Sequence, residues 1–189
     1  QALLTELRRI GIGPRSPERV VVFAERIATL IWLAEHLRED LHLPADAVRV
    51  MHGSLSDVEQ QEIVEQFRQA HTPVRILVTG DVASEGVNLH AQCHELIHYD
   101  IPWSLIRIEQ RNGRIDRYGQ SVSPQITTLL LDPSDPHFSG DVHVLKRLME
   151  KEDQAHRALG DAASLMGLYS GEREENAIRD ALAAGKDID

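Results

Sequence analysis

Short apolar runs alternate with stretches patterned at helical spacing along most of this chain, and that alternation narrows the folds open to it. Val20–Ala24 reads V-V-V-F-A, Val48–Met51 reads V-R-V-M, Arg75–Thr79 reads R-I-L-V-T, and Leu96–Tyr99 and Ile126–Leu131 follow the same style. A brief, continuous, β-branched run is the mark of a strand buried on both faces. After the first run, Ile27, Leu30, Ile31, Ala34, Leu37 and Leu41 recur at the spacing of one helix face. Ser56 and Glu59 form a capping box that opens a helix carrying Ile63, Val64 and Phe67 and ending near Thr72-Pro73. Gly80–Leu89 reads as a loop with a short helix, and Ser104–Gln110 as a helix. Asp141–Leu159 reads as a helix with Val142, Leu145 and Met149 on one side, and Glu172–Ala184 as a last one. Five strands separated by helices predict an α/β fold, with a mostly parallel sheet and helices on both faces. In such sheets ligands sit beyond the carboxyl ends of the strands. The loops after Ala24, Met51, Thr79, Tyr99 and Leu131 are therefore where function is expected.

At 189 residues the chain is sized for one domain with an extension. Gln1 opens it inside what reads as a helix, so a piece of a longer protein is expected. Its net charge of −10 excludes gripping nucleic acid with the whole surface, so any polyanion contact must be local. A single cysteine, Cys93, excludes an internal disulfide, and no apolar run is long enough to span a bilayer. A cytoplasmic location, no membrane contact and a monomeric fragment are the corresponding expectations.

Three stretches carry candidate chemistry. Gln110–Gln120 reads Q-R-N-G-R-I-D-R-Y-G-Q and spaces Arg111, Arg114 and Arg117 three apart, which on a helix sets them on neighbouring faces. Guanidiniums so close call for an anion, and arginine suits phosphate. Surface ion pairs with Glu109 and Asp116 are the plainer alternative. Thr79–Leu89 reads T-G-D-V-A-S-E-G-V-N-L directly after a strand. Its glycines free backbone amides to cradle phosphate, and an Asn or an acid can hold a ribose hydroxyl. A structural turn accounts for it equally well. His52-Gly53-Ser54, just past the second strand, suits a phosphodiester contact or a plain turn leading to the Ser56 cap.

Other features read more simply. His90, Cys93, His94 and His98 form H-x-x-C-H-x-x-x-H, which invites zinc. A strand spreads positions four apart over about 13 Å, so a histidine-rich loop is preferred and no metal is expected. Trp32 is expected to pack, and Trp103 to fill core.

In order and spacing these stretches resemble the second RecA-like domain of superfamily-two helicases and translocases. V-V-V-F-A-E-R, M-H-G-S-L-S, I-L-V-T-G-D-V-A-S-E-G-V-N-L and Q-R-N-G-R-I-D-R-Y-G-Q look like successive motifs of that domain. G-R-x-x-R-x-G-Q, preceded by Y-D-I-P-W, is most similar to the Swi/Snf-related, RapA-like branch. Gly80 stands where the family usually has Thr or Ser, and Ser104-Leu105 where the branch often has Asn-Pro. The resemblance implies a RecA-like domain over residues 18–135, an N-terminal helix or linker over 1–17 and a helical extension over 136–189. It implies an ATP-driven motor on nucleic acid, double-stranded DNA in preference to RNA. ATP and Mg²⁺ would be held mainly by a partner N-terminal RecA-like domain. By the same resemblance Arg114 and Arg117 are arginine fingers for the γ-phosphate, and Gln110 couples nucleotide to nucleic acid. Gly86 and Asn88 would lie near the ribose, Glu85 between the two sites, and His52, Gly53, Thr79 and Gly80 along one nucleic-acid strand.

The chain holds neither G-x-x-x-x-G-K-[ST] nor D-E-x-[DH], the motifs that seat ATP phosphates and Mg²⁺. The isolated fragment is therefore expected to be inactive. Two other readings stay open: a RecA-like docking module without catalysis, and an unrelated α/β phosphate-binding enzyme.

Overall fold

The computed structural model describes residues 1–84, 86–131, 133 and 140–159, the side chains at 82, 84 and 151–159 excepted. Glu85 and the expected helix over 172–184 lie outside the described residues. The chain divides into two compact units. The first is Gln1–Asp100 with Arg111–Leu129, and the second is Ile101–Gln110 with the described residues from Leu130 onward.

The first unit is built on five strands: β1 (Val20–Phe23), β2 (Val48–Met51), β3 (Ile76–Thr79), β4 (Glu95–His98) and β5 (Gln125–Thr128). They pair in the order β2-β3-β1-β4-β5, and every pair is parallel. The sheet is thus wholly parallel where a mostly parallel one was expected. β1 and β3 are buried along their whole length, as their unbroken apolar runs require. Alternate residues feed two cores. Val20, Val22, Ile76, Val78 and Ile97 pack under α1 (Ala2–Ile10) and α2 (Ile27–Asp40), joined by Leu3, Leu7, Leu30, Leu33 and Leu37. Val21, Phe23, Leu77 and Leu96 face the other way, against Ile63 and Phe67 of α3 (Asp57–Arg68) and Ala83 of α4 (Asp81–Ser84). Burying a side chain the size of Phe67 or Ile63 contributes about 2 kcal/mol.

Helix ends follow the expected chemistry. Ser56 and Glu59 make the reciprocal capping box that starts α3. Gly11, at φ 88°, closes α1 and donates its N–H to the carbonyls of Leu7 and Arg8. The end of α3 is held from outside. Arg19, buried just before β1, donates to the carbonyls of Phe67, Gln69 and Ala70. Arg75, just before β3, donates to the carbonyls of Ser16 and Thr72.

One packing expectation is corrected. Trp32 is 47% exposed on the outer face of α2, its ring stacked 4.1 Å from that of His36. In the second unit, helix α6 (Asp141–Leu159) buries Val144 and Leu148 against Trp103 and Leu105, whereas Val142 and Met149 are exposed. Trp103 fills core there, as expected. Among the described residues no helix is long and apolar enough to cross a membrane.

Candidate functional site

Parallel pairing brings the carboxyl ends of the strands into one row. Met51 lies beside Thr79, Thr79 beside Phe23, Phe23 beside His98 and His98 beside Thr128. The loops that leave this row carry His52 and Gly53, Gly80 and Asp81, and Tyr99 and Asp100. His52 is half-buried and its carbonyl accepts from the Leu55 N–H at 3.1 Å, closing a turn that leaves Gly53 and Ser54 exposed. Thr79 is wholly buried, its hydroxyl donated to the Gly80 carbonyl at 3.2 Å. Outward contacts of that turn therefore belong to its backbone. A Cβ at Gly80 would sit 3.5 Å from the Ala24 carbonyl oxygen, an ordinary contact, so sterics do not demand glycine there.

The arginine stretch is not one helix. Helix α5 (Leu105–Asn112) ends just past Arg111, and a turn and loop carry Arg114 and Arg117. The three arginines then have three different environments. Arg111 is 1% exposed. Its Nε and Nη2 donate to the two carboxylate oxygens of Asp81 at 2.6 and 3.1 Å, and its Nη1 donates to the Asp100 carbonyl at 3.0 Å. The Asp100 carboxylate lies 3.6 Å away, and the guanidinium sits 5.3 Å from the Phe23 ring centre. The anion it demands is thus the protein's own, and neither Glu109 nor Asp116 supplies it. Burial raises the Asp100 pKa, outweighing the Glu25 amide and the Arg111 charge that lower it.

Arg114 is half-buried. Its N–H donates to the Arg111 carbonyl at 3.0 Å, and its carbonyl accepts from the Leu89 N–H at 2.9 Å. That second bond joins the loop of Gly86 and Asn88 to the arginine turn. Gly86 is exposed at φ 74°, a conformation that favours glycine, and Asn88 is exposed beside it. Arg117 and Tyr118 are exposed on a short projection between buried Ile115 and Gln120. The Gln120 side-chain amide fastens its base, donating to the carbonyls of Cys93 and Ile115 at 3.0 and 3.1 Å. Gln110 is exposed and belongs to the second unit.

His98 and Asn112 were not singled out as a pair by sequence reasoning, yet the His98 Nε2 meets the Asn112 Oδ1 at 2.9 Å. Asp81 and Asp100 were also missed as partners of Arg111. The available signal was that each stands one or two residues past a strand end. The Cys93 thiol is buried and donates to the carbonyls of Arg19 and Glu95. Burial pushes its pKa up to about 12, which keeps it a neutral thiol. Among the described residues no group of three or more His, Cys, Asp or Glu could hold a metal ion.

Residues 2–119 match the helicase conserved C-terminal domain family. Among curated proteins, the uncharacterized ATP-dependent helicase YqhH of Bacillus subtilis is 27% identical over 176 residues, covering 93% of this chain and 29% of that protein. The RNA polymerase-associated protein RapA of Yersinia enterocolitica is 32% identical over 117 residues, covering 61% of this chain and 12% of its own length. The chain therefore spans less than a third of either relative. Among solved structures, the C-terminal part of the Fun30 ATPase domain superposes with a TM-score of 0.58 at 22% identity, covering 68% of this chain and 39% of that one. The fold is that of a RecA-like domain, with relatives in the Swi/Snf-related, RapA-like branch. With a matched span of residues 2–119 that takes in the three motif-bearing strand ends and the arginine turn, the chain belongs to the helicase conserved C-terminal domain family of superfamily two.

Proposed function

We propose that this domain is the second motor domain of an ATP-dependent translocase acting on nucleic acid, double-stranded DNA in preference to RNA. Arg114 and Arg117 serve the nucleotide in this reading. The observation that carries it is the backbone bond from Leu89 to Arg114, which ties the loop carrying Gly86 and Asn88 to the arginine turn. One short stretch thus carries an exposed glycine backbone, an amide side chain and two arginines, the groups that suit a ribose and a triphosphate. Nucleotide, when bound, supplies the phosphoryl group that is transferred to water, and Mg²⁺ neutralises charge on its phosphates. The described residues offer arginines to that group but no carboxylate cluster for the ion, which fits Mg²⁺ being held by an N-terminal RecA-like partner domain.

Arg117, exposed on its anchored projection, is the side chain free to reach across to a nucleotide seated on the partner domain. Arg114 backs it from half-burial. Gln110 contributes to coupling between nucleotide and nucleic acid. The backbone of the Thr79-Gly80 turn, with His52 and Gly53, tracks one strand. An arginine finger is worth roughly 10³–10⁵ in rate. In the longer protein that contains this domain, Arg117→Ala should lower nucleic-acid-stimulated ATP hydrolysis by at least about a thousandfold with thermal unfolding unchanged. Arg114→Ala should act in the same direction. Stimulated hydrolysis that survives both substitutions would refute the assignment.

A further inference from the structure

We propose that Arg111 is a positioning residue that couples the nucleic-acid grip to the nucleotide-facing arginines, by way of a buried fork with Asp81 and Asp100. The proposal rests on the motor reading above. A buried guanidinium is costly unless its charge is met and its donors are satisfied, and an apolar side chain of similar volume would hold a core at least as well. Here the charge is kept, at 1% exposure, and is met from two different loops. Asp81 takes the Nε and Nη2 donors at 2.6 and 3.1 Å, and the Asp100 carbonyl takes Nη1 at 3.0 Å.

Each contact leads somewhere specific. Asp81 directly follows the Thr79-Gly80 turn proposed to face nucleic acid. The Asp100 carboxylate accepts the Glu25 N–H at 2.9 and 3.1 Å, which brings in the loop after β1. The Arg111 carbonyl accepts the Arg114 N–H at 3.0 Å, the first bond of the arginine turn. Next to it, Asn112 is tied to His98 at the tip of β4. One side chain thus joins the loops after β3 and β4, and through Asp100 the loop after β1, to the start of the segment that presents Arg114 and Arg117. A two-bond fork is directional, so a shift of Asp81 turns the guanidinium with it and moves the turn whose first carbonyl belongs to the same residue. A contiguous bonded network of this kind is a physical route for coupling between sites, and energetic coupling is what demonstrates it.

The test uses the longer protein with linear duplex DNA as activator. Asp81→Asn keeps the shape and one acceptor, and Arg111→Lys keeps the charge but loses the fork. Thermal unfolding verifies that each variant is folded. The readout is the ratio of DNA-stimulated to basal ATP hydrolysis, measured beside Arg117→Ala. Basal hydrolysis and duplex affinity should stay near wild type, while the ratio falls roughly five- to hundredfold, the span of ordinary site-to-site coupling. The double variant should fall no further than the more severe single one. A merely structural role would lower basal and stimulated rates together. That outcome, or a wild-type ratio in both folded variants, would overturn the proposal. If Arg117→Ala removes hydrolysis while the ratio stays at wild type, the coupling alone fails. If stimulated hydrolysis survives both Arg117→Ala and Arg114→Ala, the finger assignment on which the coupling rests fails first.

Discussion

His98 shows how burial at the strand ends sets a charge state. It is wholly buried at the tip of β4, and desolvation brings its pKa down to about 4, with the Arg111 charge adding to the effect and the Asn112 bond opposing it. The unfolded residue titrates near 6.5, so the stability that neutral His98 contributes is complete above that pH and is lost as pH falls toward 4. Between pH 7 and 5 the loss attributable to this residue is about 2 kcal/mol. Urea unfolding of the chain at the two pH values should show it, and His98→Phe should remove that part of the dependence. Little of this was legible in the sequence. Arg111 shows why: its partners stand 30 and 11 positions away, and only the parallel register brings Asp81 and Asp100 to one place. Residue type announced a charge that needed an anion; it offered Glu109 and Asp116 as the chain's own source and did not point to Asp81 and Asp100.

The elements that could be read were those whose pattern had a single physical explanation. V-V-V-F and I-L-V-T became β1 and β3 because only a strand covered on both faces uses unbroken β-branched runs. β5 lies at an edge with Gln125 and Ile126 exposed, and its weaker pattern placed it late, at Ile126–Leu131. For α6, Val142 and Met149 compete with Val144 and Leu148 at similar spacing, and the polar background leaves the choice of face to packing. The R-x-x-R-x-x-R spacing read as helical, yet Gly113 and the Asn112 carbonyl, which accepts from Ile115 and Asp116, end α5 before the second arginine. Helix α3 is the best test of local reading, because its two ends are held by different means. Ser56→Ala removes half of the capping box and should cost about 1 kcal/mol. Arg19→Met leaves the carbonyls of Phe67, Gln69 and Ala70 without their guanidinium and should cost about 2–3 kcal/mol. Denaturant midpoints with unchanged slopes would show both, and equal losses would contradict the ranking.

At the scale of the whole molecule, the proposed function gives the chain one side of a nucleotide site. It lacks the glycine-rich lysine loop and the acidic pair that seat phosphates and Mg²⁺. The purified 189-residue chain should therefore turn over no ATP above background, with or without duplex DNA. Turnover that disappears in Arg117→Ala would show that the domain is catalytically self-sufficient. Mechanics follows from the starts of the strands. Arg19 and Arg75 stitch the starts of β1 and β3 to the end of α3 and to Ser16, and the carbonyl of Arg19 also takes the Cys93 thiol beside β4. A pull applied at the tips would run down three adjacent strands into a seam that resists shear, so the sheet would take the load as a plate. Compliance would then gather in the loops beyond the tips.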